Sequence, residues 1–227
     1  MPATTSVTSF VSQGFILPFL LREPEIRPPQ PSAIVLLHGV GSNENSLFGL
    51  ERQVAAGISV IAPRGTYELG TDKYGWYEVD FSAGEPVINE MQEEHSRKIL
   101  IEFIEQLKQV YRFHEVYLGG FSQGAVMSYS TALTHAGLVN GIMILSGRIL
   151  PVTESLMQVA ALAPLKVFIA HGIQDAVVRI VWARAARKQL EAAGLKPQYH
   201  EYSAGHQVTD DMVRDLAAWI TLHIAAG

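Results

Sequence analysis

Cysteine is absent from all 227 residues of this chain. That absence excludes disulfide frameworks, cysteine-ligated zinc, iron–sulfur clusters and a thiolate nucleophile. It says nothing about compartment, because a chain without cysteine suits either redox environment. No apolar run reaches the roughly eighteen residues that a membrane-spanning helix needs. The nearest candidate, Phe15 to Leu21, is broken by Pro18, and Met1 to Gln13 carries no lysine or arginine of the kind that opens a secretory leader. The segment reads as a strand in a mature cytoplasmic protein. Basic blocks are also missing. Seventeen Lys and Arg against 22 Asp and Glu give a net charge of −5. This balance argues against nucleic acid or an anionic membrane as the main partner, and the missing apolar run argues against stable membrane insertion. Hydrophobic residues, by contrast, make up 48% of the chain, which is enough for a large core and excludes general disorder.

What is present alternates. Val7, Ser9 and Val11 interleave with Thr8 and Phe10, Ser12-Gln13-Gly14 offers a turn, and Phe15 to Leu21 returns, so a hairpin is expected. Arg22 to Pro31 holds four prolines and reads as a loop. Strand and helix patterns then follow in turn. Strands are expected at Ala33–Leu37, Ser59–Ala62, Glu115–Gly119, Gly141–Leu145, Lys166–Ala170 and Pro197–Tyr202. Helices are expected at Ser46–Ala56, Glu90–Arg112, Gln123–Ala136, Thr153–Ala161, Ile180–Ala193 and Thr209–Ile224. Ile99, Phe103, Leu107 and Val110 form the apolar stripe of the long second helix. Such alternation implies an α/β protein in three layers, with a mostly parallel sheet of about eight strands, helices on both faces and an antiparallel N-terminal hairpin. Residues 1–227 show no repeat or linker and read as a single domain.

Gly120-Phe121-Ser122-Gln123-Gly124 is a G-x-S-x-G pentapeptide between the apolar run Val116-Tyr117-Leu118 and the helix formers Ala125-Val126-Met127. A serine on so sharp a strand-to-helix turn is strained, and its neighbours crowd until only glycine fits. A serine hydroxyl needs a base, and the base needs an orienting carboxylate. In this setting the partners follow in the order Ser, then Asp or Glu, then His. Asp175 lies just past the strand ending at Ala170, and His206 just past the strand ending at Tyr202. Both are at the strand ends where open parallel sheets place their sites. An oxyanion hole would use the backbone N–H of Gln123 at a helix N-terminus and that of Val40 in the glycine-rich loop after Leu37.

These residues resemble the phospholipase/carboxylesterase family of α/β hydrolases, which includes bacterial carboxylesterases and the acyl-protein thioesterases. The resemblance rests on Leu37-His38-Gly39-Val40-Gly41, Trp76-Tyr77, the Gly-Phe-Ser-Gln-Gly pentapeptide, Leu145-Ser146-Gly147, His171-Gly172 with Asp175, and Gly205-His206. It implies an α/β-hydrolase fold, a Ser122–His206–Asp175 triad with an oxyanion hole at Val40 and Gln123, and no cofactor or metal. The implied activity is a serine esterase cleaving (thio)ester bonds of small substrates with short to medium acyl groups through an acyl-enzyme. Two alternatives use the same fold: a lysophospholipase or acyl-protein thioesterase, and a non-catalytic hydrolase fold that only binds a ligand. The sequence leaves a homodimer open. Arg179 stands where the family often has proline, and Tyr74-Gly75 replaces the usual arginine before the aromatic pair. Neither departure touches the catalytic machinery; both fall where substrate preference would be set.

Residues 66–88 have no period yet hold Tyr67, Tyr74, Trp76, Tyr77 and Phe81. A long aperiodic loop this rich in aromatics is expected to wall the substrate site, with Trp76 and Tyr77 over the acyl chain beside Val178. Glu93-Glu94-His95 has metal-ligand residue types but opens a helix, where acids complement the dipole, and reads as a solvated face. His38 and His171 read as strand-end packing residues as readily as site contacts, and Ser146 reads as a strand-end residue.

Overall fold

A computed structural model describes residues 6–24, 27–80, 82 and 86–224. Phe81, and residues 25 and 26 of the first expected loop, lie outside the described residues. The chain begins with β1 (Ser6–Val11), β2 (Phe19–Pro24) and β3 (Ser32–Leu37), followed by one helical turn, α1 (Asn45–Phe48), and β4 (Ile58–Pro63). Two small ribbons come next: β5 (Tyr67–Gly70) with β6 (Lys73–Gly75), and β7 (Val79–Asp80) with β8 (Val87–Ile88). Strand–helix alternation then runs through α2 (Glu90–Tyr111), β9 (Glu115–Phe121), α3 (Gln123–Thr134), β10 (Gly141–Leu145), α4 (Pro151–Leu156), β11 (Lys166–Gly172), α5 (Ile180–Ala192), β12 (Gln198–Tyr202) and α6 (Asp210–His223).

The main sheet has eight strands in the order β1-β2-β4-β3-β9-β10-β11-β12. The N-terminal hairpin is antiparallel, and β2 is antiparallel to β4. All other pairs are parallel, as right-handed strand–helix–strand crossovers require. Strands buried on both faces read as continuous apolar runs, and β3 shows why. Its Ala33, Val35 and Leu37 enter one core cluster, while Ile34 and Leu36 enter the other. The first cluster is covered by α2, α3 and α5 through residues such as Phe103, Met127 and Leu190; the second by α6 through Met212, Leu216 and Trp219. Each fully buried Leu, Ile or Phe in these layers contributes about 1.5–3 kcal/mol. Helix α3 is buried along its whole length, so the turn that starts it rests on a rigid base. Among the described residues no helix is long and apolar enough to cross a membrane.

Several boundaries differ from the sequence reading. The returning hairpin strand starts at Phe19 and runs to Pro24, not from Phe15 to Leu21, and Phe15 instead packs edge-on against Phe19 at 5.0 Å. The helix expected over Ser46–Ala56 is one α-turn followed by 3₁₀ turns, with Val54 extended. In α2 the buried stripe is Leu100, Phe103, Ile104 and Leu107, whereas Val110 is exposed. Glu93 is not on a solvated face. It is fully buried beside Arg97, 3.4 Å away, and burial raises its carboxyl pKa.

Candidate active site

The turn from β9 into α3 pivots on Ser122, whose backbone has φ 56° and ψ −118°. This is a left-handed conformation that costs a non-glycine residue about 1–3 kcal/mol. Two hydrogen bonds hold it: Ser122 N–H donates to Leu145 O at 2.9 Å, and Val126 N–H to Ser122 O at 3.0 Å. The flanking glycines are steric necessities. A Cβ on Gly120 would lie 2.5 Å from the Gly124 carbonyl carbon, and one on Gly124 would lie 2.0 Å from Leu37 O.

The loops after β11 and β12 bring the other two groups to this turn. Ile173 N–H donates to Tyr202 O at 2.8 Å and Gln174 N–H to Ala204 O at 3.0 Å, which locks the two loops together. His206 Nε2 then lies 2.9 Å from Ser122 Oγ, and His206 Nδ1 lies 2.7 Å from Asp175 Oδ2. The second carboxylate oxygen, Oδ1, accepts the N–H groups of Val177 at 2.9 Å and Val178 at 2.8 Å. Asp175 is therefore aimed by its own loop. The imidazole of His206 rests against the Phe121 ring, 4.8 Å between centroids. His171, fully buried beneath, bonds Val178 O through Nε2 at 2.6 Å and lies 3.5 Å from Asp175 Oδ2. Its burial lowers its pKa, so the ring stays neutral and donates from Nε2.

Two residues that line the same cavity as Ser122, Val40 and Gln123, have backbone N–H groups without a protein acceptor among the described residues. Gln123 is the first residue of α3, where helix N–H groups lack internal partners. Val40 sits on a loop that is tied down on both sides. Gly41 N–H donates to Tyr74 O at 2.8 Å, and Tyr74 N–H to Ser42 O at 2.7 Å. His38 Nδ1 bonds Gly39 O at 2.7 Å while Nε2 accepts Gly65 N–H at 2.9 Å. This pairing fixes the neutral tautomer, and burial lowers the pKa of the ring in the same direction. Behind the loop, Arg64 Nε donates to Glu44 Oε2 at 2.8 Å, and the Arg64 guanidinium stacks on Tyr74 at 4.7 Å.

A cavity of about 260 Å³ opens over Ser122, Gln123 and Val40. The aromatic segment contributes Tyr77, Pro86 and Ile88 to it, and α3 contributes Val126. The acid loop and the start of α5 contribute Val177, Val178, Arg179 and Trp182, and the loop after β10 contributes Arg148. Of the expected substrate contacts, Tyr77 and Val178 thus line the cavity and Trp76 does not. Trp76 is fully buried, with its indole N–H donated to His38 O at 3.0 Å and its ring 5.4 Å from the His38 ring. Its position follows from Gln123, whose side-chain Oε1 accepts Trp76 N–H at 2.8 Å and whose Nε2 donates to Tyr77 O at 2.7 Å. The aromatic segment is thereby stitched to the serine turn. Trp76→Phe should keep an aromatic ring there, smaller than the indole, but leave His38 O without its donor. Loss of that buried bond should cost about 1–3 kcal/mol in denaturant unfolding. A variant as stable as wild type would show that the indole bond is dispensable.

Sequence reasoning missed the Gln123 side chain, the bracing role of Trp76, and Arg148. The first two depend on contacts across 38–47 residues that no local pattern encodes. Arg148 had a visible signal, since it directly follows the strand-end triplet Leu145-Ser146-Gly147.

The strand order, the serine turn between β9 and α3, and the two loops beyond β11 and β12 together define an α/β hydrolase. The chain belongs to the phospholipase/carboxylesterase family, whose model matches residues 24–224. It is 30% identical over 110 residues to acyl-protein thioesterase 1 of Debaryomyces hansenii, covering 47% of each chain. It is 23% identical over 204 residues to carboxylesterase SOBER1 of Arabidopsis thaliana, covering 82% of this chain and 88% of that one. The chain spans about half or less of the length of the first curated relatives it matches. In three dimensions it is similar to the Bacillus cereus carboxylesterase, with TM-score 0.79 and 24% identity over 92% of this chain and 95% of that one.

Proposed function

We propose that this protein is a serine hydrolase of carboxylic esters and thioesters, with Ser122, His206 and Asp175 as its catalytic triad. The observation that carries this reading is the unbroken relay from Ser122 Oγ to His206 Nε2 at 2.9 Å and from His206 Nδ1 to Asp175 Oδ2 at 2.7 Å. Ser122 attacks the acyl carbonyl while His206 takes its proton, then returns it to the departing alcohol or thiol. Asp175 holds the tautomer and stabilises the imidazolium. The amides of Val40 and Gln123 receive the developing oxyanion, and water repeats the cycle on the acyl-enzyme. The cavity, about 260 Å³, is below the usual range for drug-sized ligands, which favours short to medium acyl groups.

Thioester substrates have their own support in the similarity to a protein named acyl-protein thioesterase 1. A series of 4-nitrophenyl esters graded by acyl length, with matched thioesters, tests both. Burying each added methylene contributes about 0.8 kcal/mol, so kcat/KM should rise up to roughly fourfold per carbon until the cavity is full. An alkyl fluorophosphonate should label Ser122 and no other residue. No turnover of any ester or thioester, together with no label at Ser122, would overturn the reading.

A further inference from the structure

The cavity over Ser122 is lined by two arginines, Arg148 and Arg179, and among the described residues by no aspartate or glutamate. Two acids near it, Asp175 and Glu93, are engaged elsewhere. Asp175 is bonded to His206 and to the amides of Val177 and Val178. Glu93 is fully buried and pairs with Arg97. Arg148 differs from the other arginines near the site. It follows the end of β10, where Ser146 turns the chain at φ 53° and Ser146 N–H anchors to Ala170 O at 3.0 Å. Its guanidinium carbon lies 5.5 Å over the Trp182 ring, itself a cavity residue. Among the described residues that guanidinium donates to no protein acceptor and pairs with no carboxylate.

A half-buried guanidinium in a small pocket has a chemical consequence. A neutral acyl chain filling the cavity would displace its water and offer nothing in return. A carboxylate would satisfy it with charge-assisted bonds that the planar fork of arginine favours. The aromatic face of Trp182 restricts where the fork can point, so part of the ordering cost is already met by the fold. From these facts we infer that Arg148 makes the cavity selective for ester or thioester substrates bearing a carboxylate a short chain away from the scissile carbonyl. The inference rests on the hydrolase reading above and adds the substrate class. The small volume, about 260 Å³, favours a compact carboxylate on a chain of few carbons.

Four esters separate the outcomes: the 4-nitrophenyl monoester of glutaric acid, its methyl-capped neutral counterpart, 4-nitrophenyl butyrate, and 3-carboxy-4-nitrophenyl butyrate. The first pair varies charge on the acyl side and the second pair on the leaving group. The readout is the ratio of kcat/KM for the charged to the neutral member of each pair. Wild type should prefer the charged member of one pair, and which pair responds tells the side on which Arg148 acts. Arg148→Gln should lower that ratio by about tenfold to a hundredfold, the range for a lost hydrogen bond to a charged group. Arg148→Lys should keep part of it, and added salt should erode the wild-type ratio. Turnover of all four esters with ratios near one, or ratios unchanged in Arg148→Gln, would overturn the inference and leave the hydrolase reading intact. No turnover of any of them by wild type would overturn the inference, and the hydrolase reading would fall with it only if thioesters were also untouched and Ser122 took no fluorophosphonate label.

Discussion

Ser122→Ala should lower kcat by about a million-fold, the size of loss seen when the serine of a comparable triad is removed. The atom deleted is the one His206 Nε2 meets at 2.9 Å, and among the described residues no other hydroxyl is bonded to that nitrogen. What survives should be the modest acceleration, about 10³–10⁴ over water, that an oxyanion hole and substrate binding supply without a nucleophile. Folding should hardly change. The backbone strain at φ 56° stays, because alanine suffers it as serine does. Ser122→Gly makes the contrast sharper. It removes the same oxygen and relieves the left-handed strain, so it should be as inactive as the alanine variant yet more stable by about 1 kcal/mol. Purified Ser122→Ala that retained esterase turnover, or that still bound an alkyl fluorophosphonate covalently, would sink the assignment of the nucleophile.

The fold was legible in the sequence because its central strands are buried on both faces. Apolar runs such as Ala33–Leu37 and Gly141–Leu145 can hardly be anything but strands of a covered parallel sheet once helical periods separate them. Legibility failed where local pattern and tertiary contact part company. Phe15 to Leu21 looks like a strand because it is apolar, but its residues are apolar for packing: Phe15 stacks on Tyr111 at 5.9 Å while the strand proper begins at Phe19. Glu93 was read as solvated from its place at a helix start, yet the helix lies on the sheet and that face is inward. Short ribbons such as β5–β6 escape notice because strands of three or four residues are too brief to show a period.

At the site, chain order and strand ends pointed to Ser122, Asp175 and His206, since only the C-terminal edge of a parallel sheet offers loops free to converge. The supporting contacts are a different matter. Gln123 was expected for its amide alone, whereas its side chain also spans from Trp76 N–H to Tyr77 O. Trp76 was expected over substrate because aromatics in a long loop must cover something. What it covers is the loop that carries Val40, through His38 O, and a sequence cannot tell a wall from a brace.

Asp175→Asn should lower kcat/KM by about ten-thousandfold while the protein remains folded, and the reason lies in which atoms already occupy the carboxylate. Oδ1 accepts two backbone N–H groups, those of Val177 and Val178, and Oδ2 accepts His206 Nδ1–H at 2.7 Å. An asparagine has one oxygen and one NH₂ to fill these places. If its oxygen stays with the two amides, the NH₂ confronts His206 Nδ1, which must then become an acceptor. The ring proton moves to Nε2, the nitrogen that has to take the proton from Ser122. The base is then blocked at its working atom, the same wrong-tautomer effect that costs about 10⁴ in a serine protease triad. If the amide flips instead, the NH₂ meets the N–H groups of Val177 and Val178, and two buried donors lose their acceptor at about 1–3 kcal/mol each. The first arrangement is cheaper, so the variant should fold normally and fail chemically. His171 does not rescue it: that ring is neutral and its Nε2 is committed to Val178 O at 2.6 Å. The decisive comparison is kcat/KM and the rate of fluorophosphonate labelling beside the thermal midpoint of the same preparation. Labelling should slow in step with turnover while the midpoint moves by only a few degrees. Activity within tenfold of wild type would mean that a carboxylate other than Asp175 orients His206.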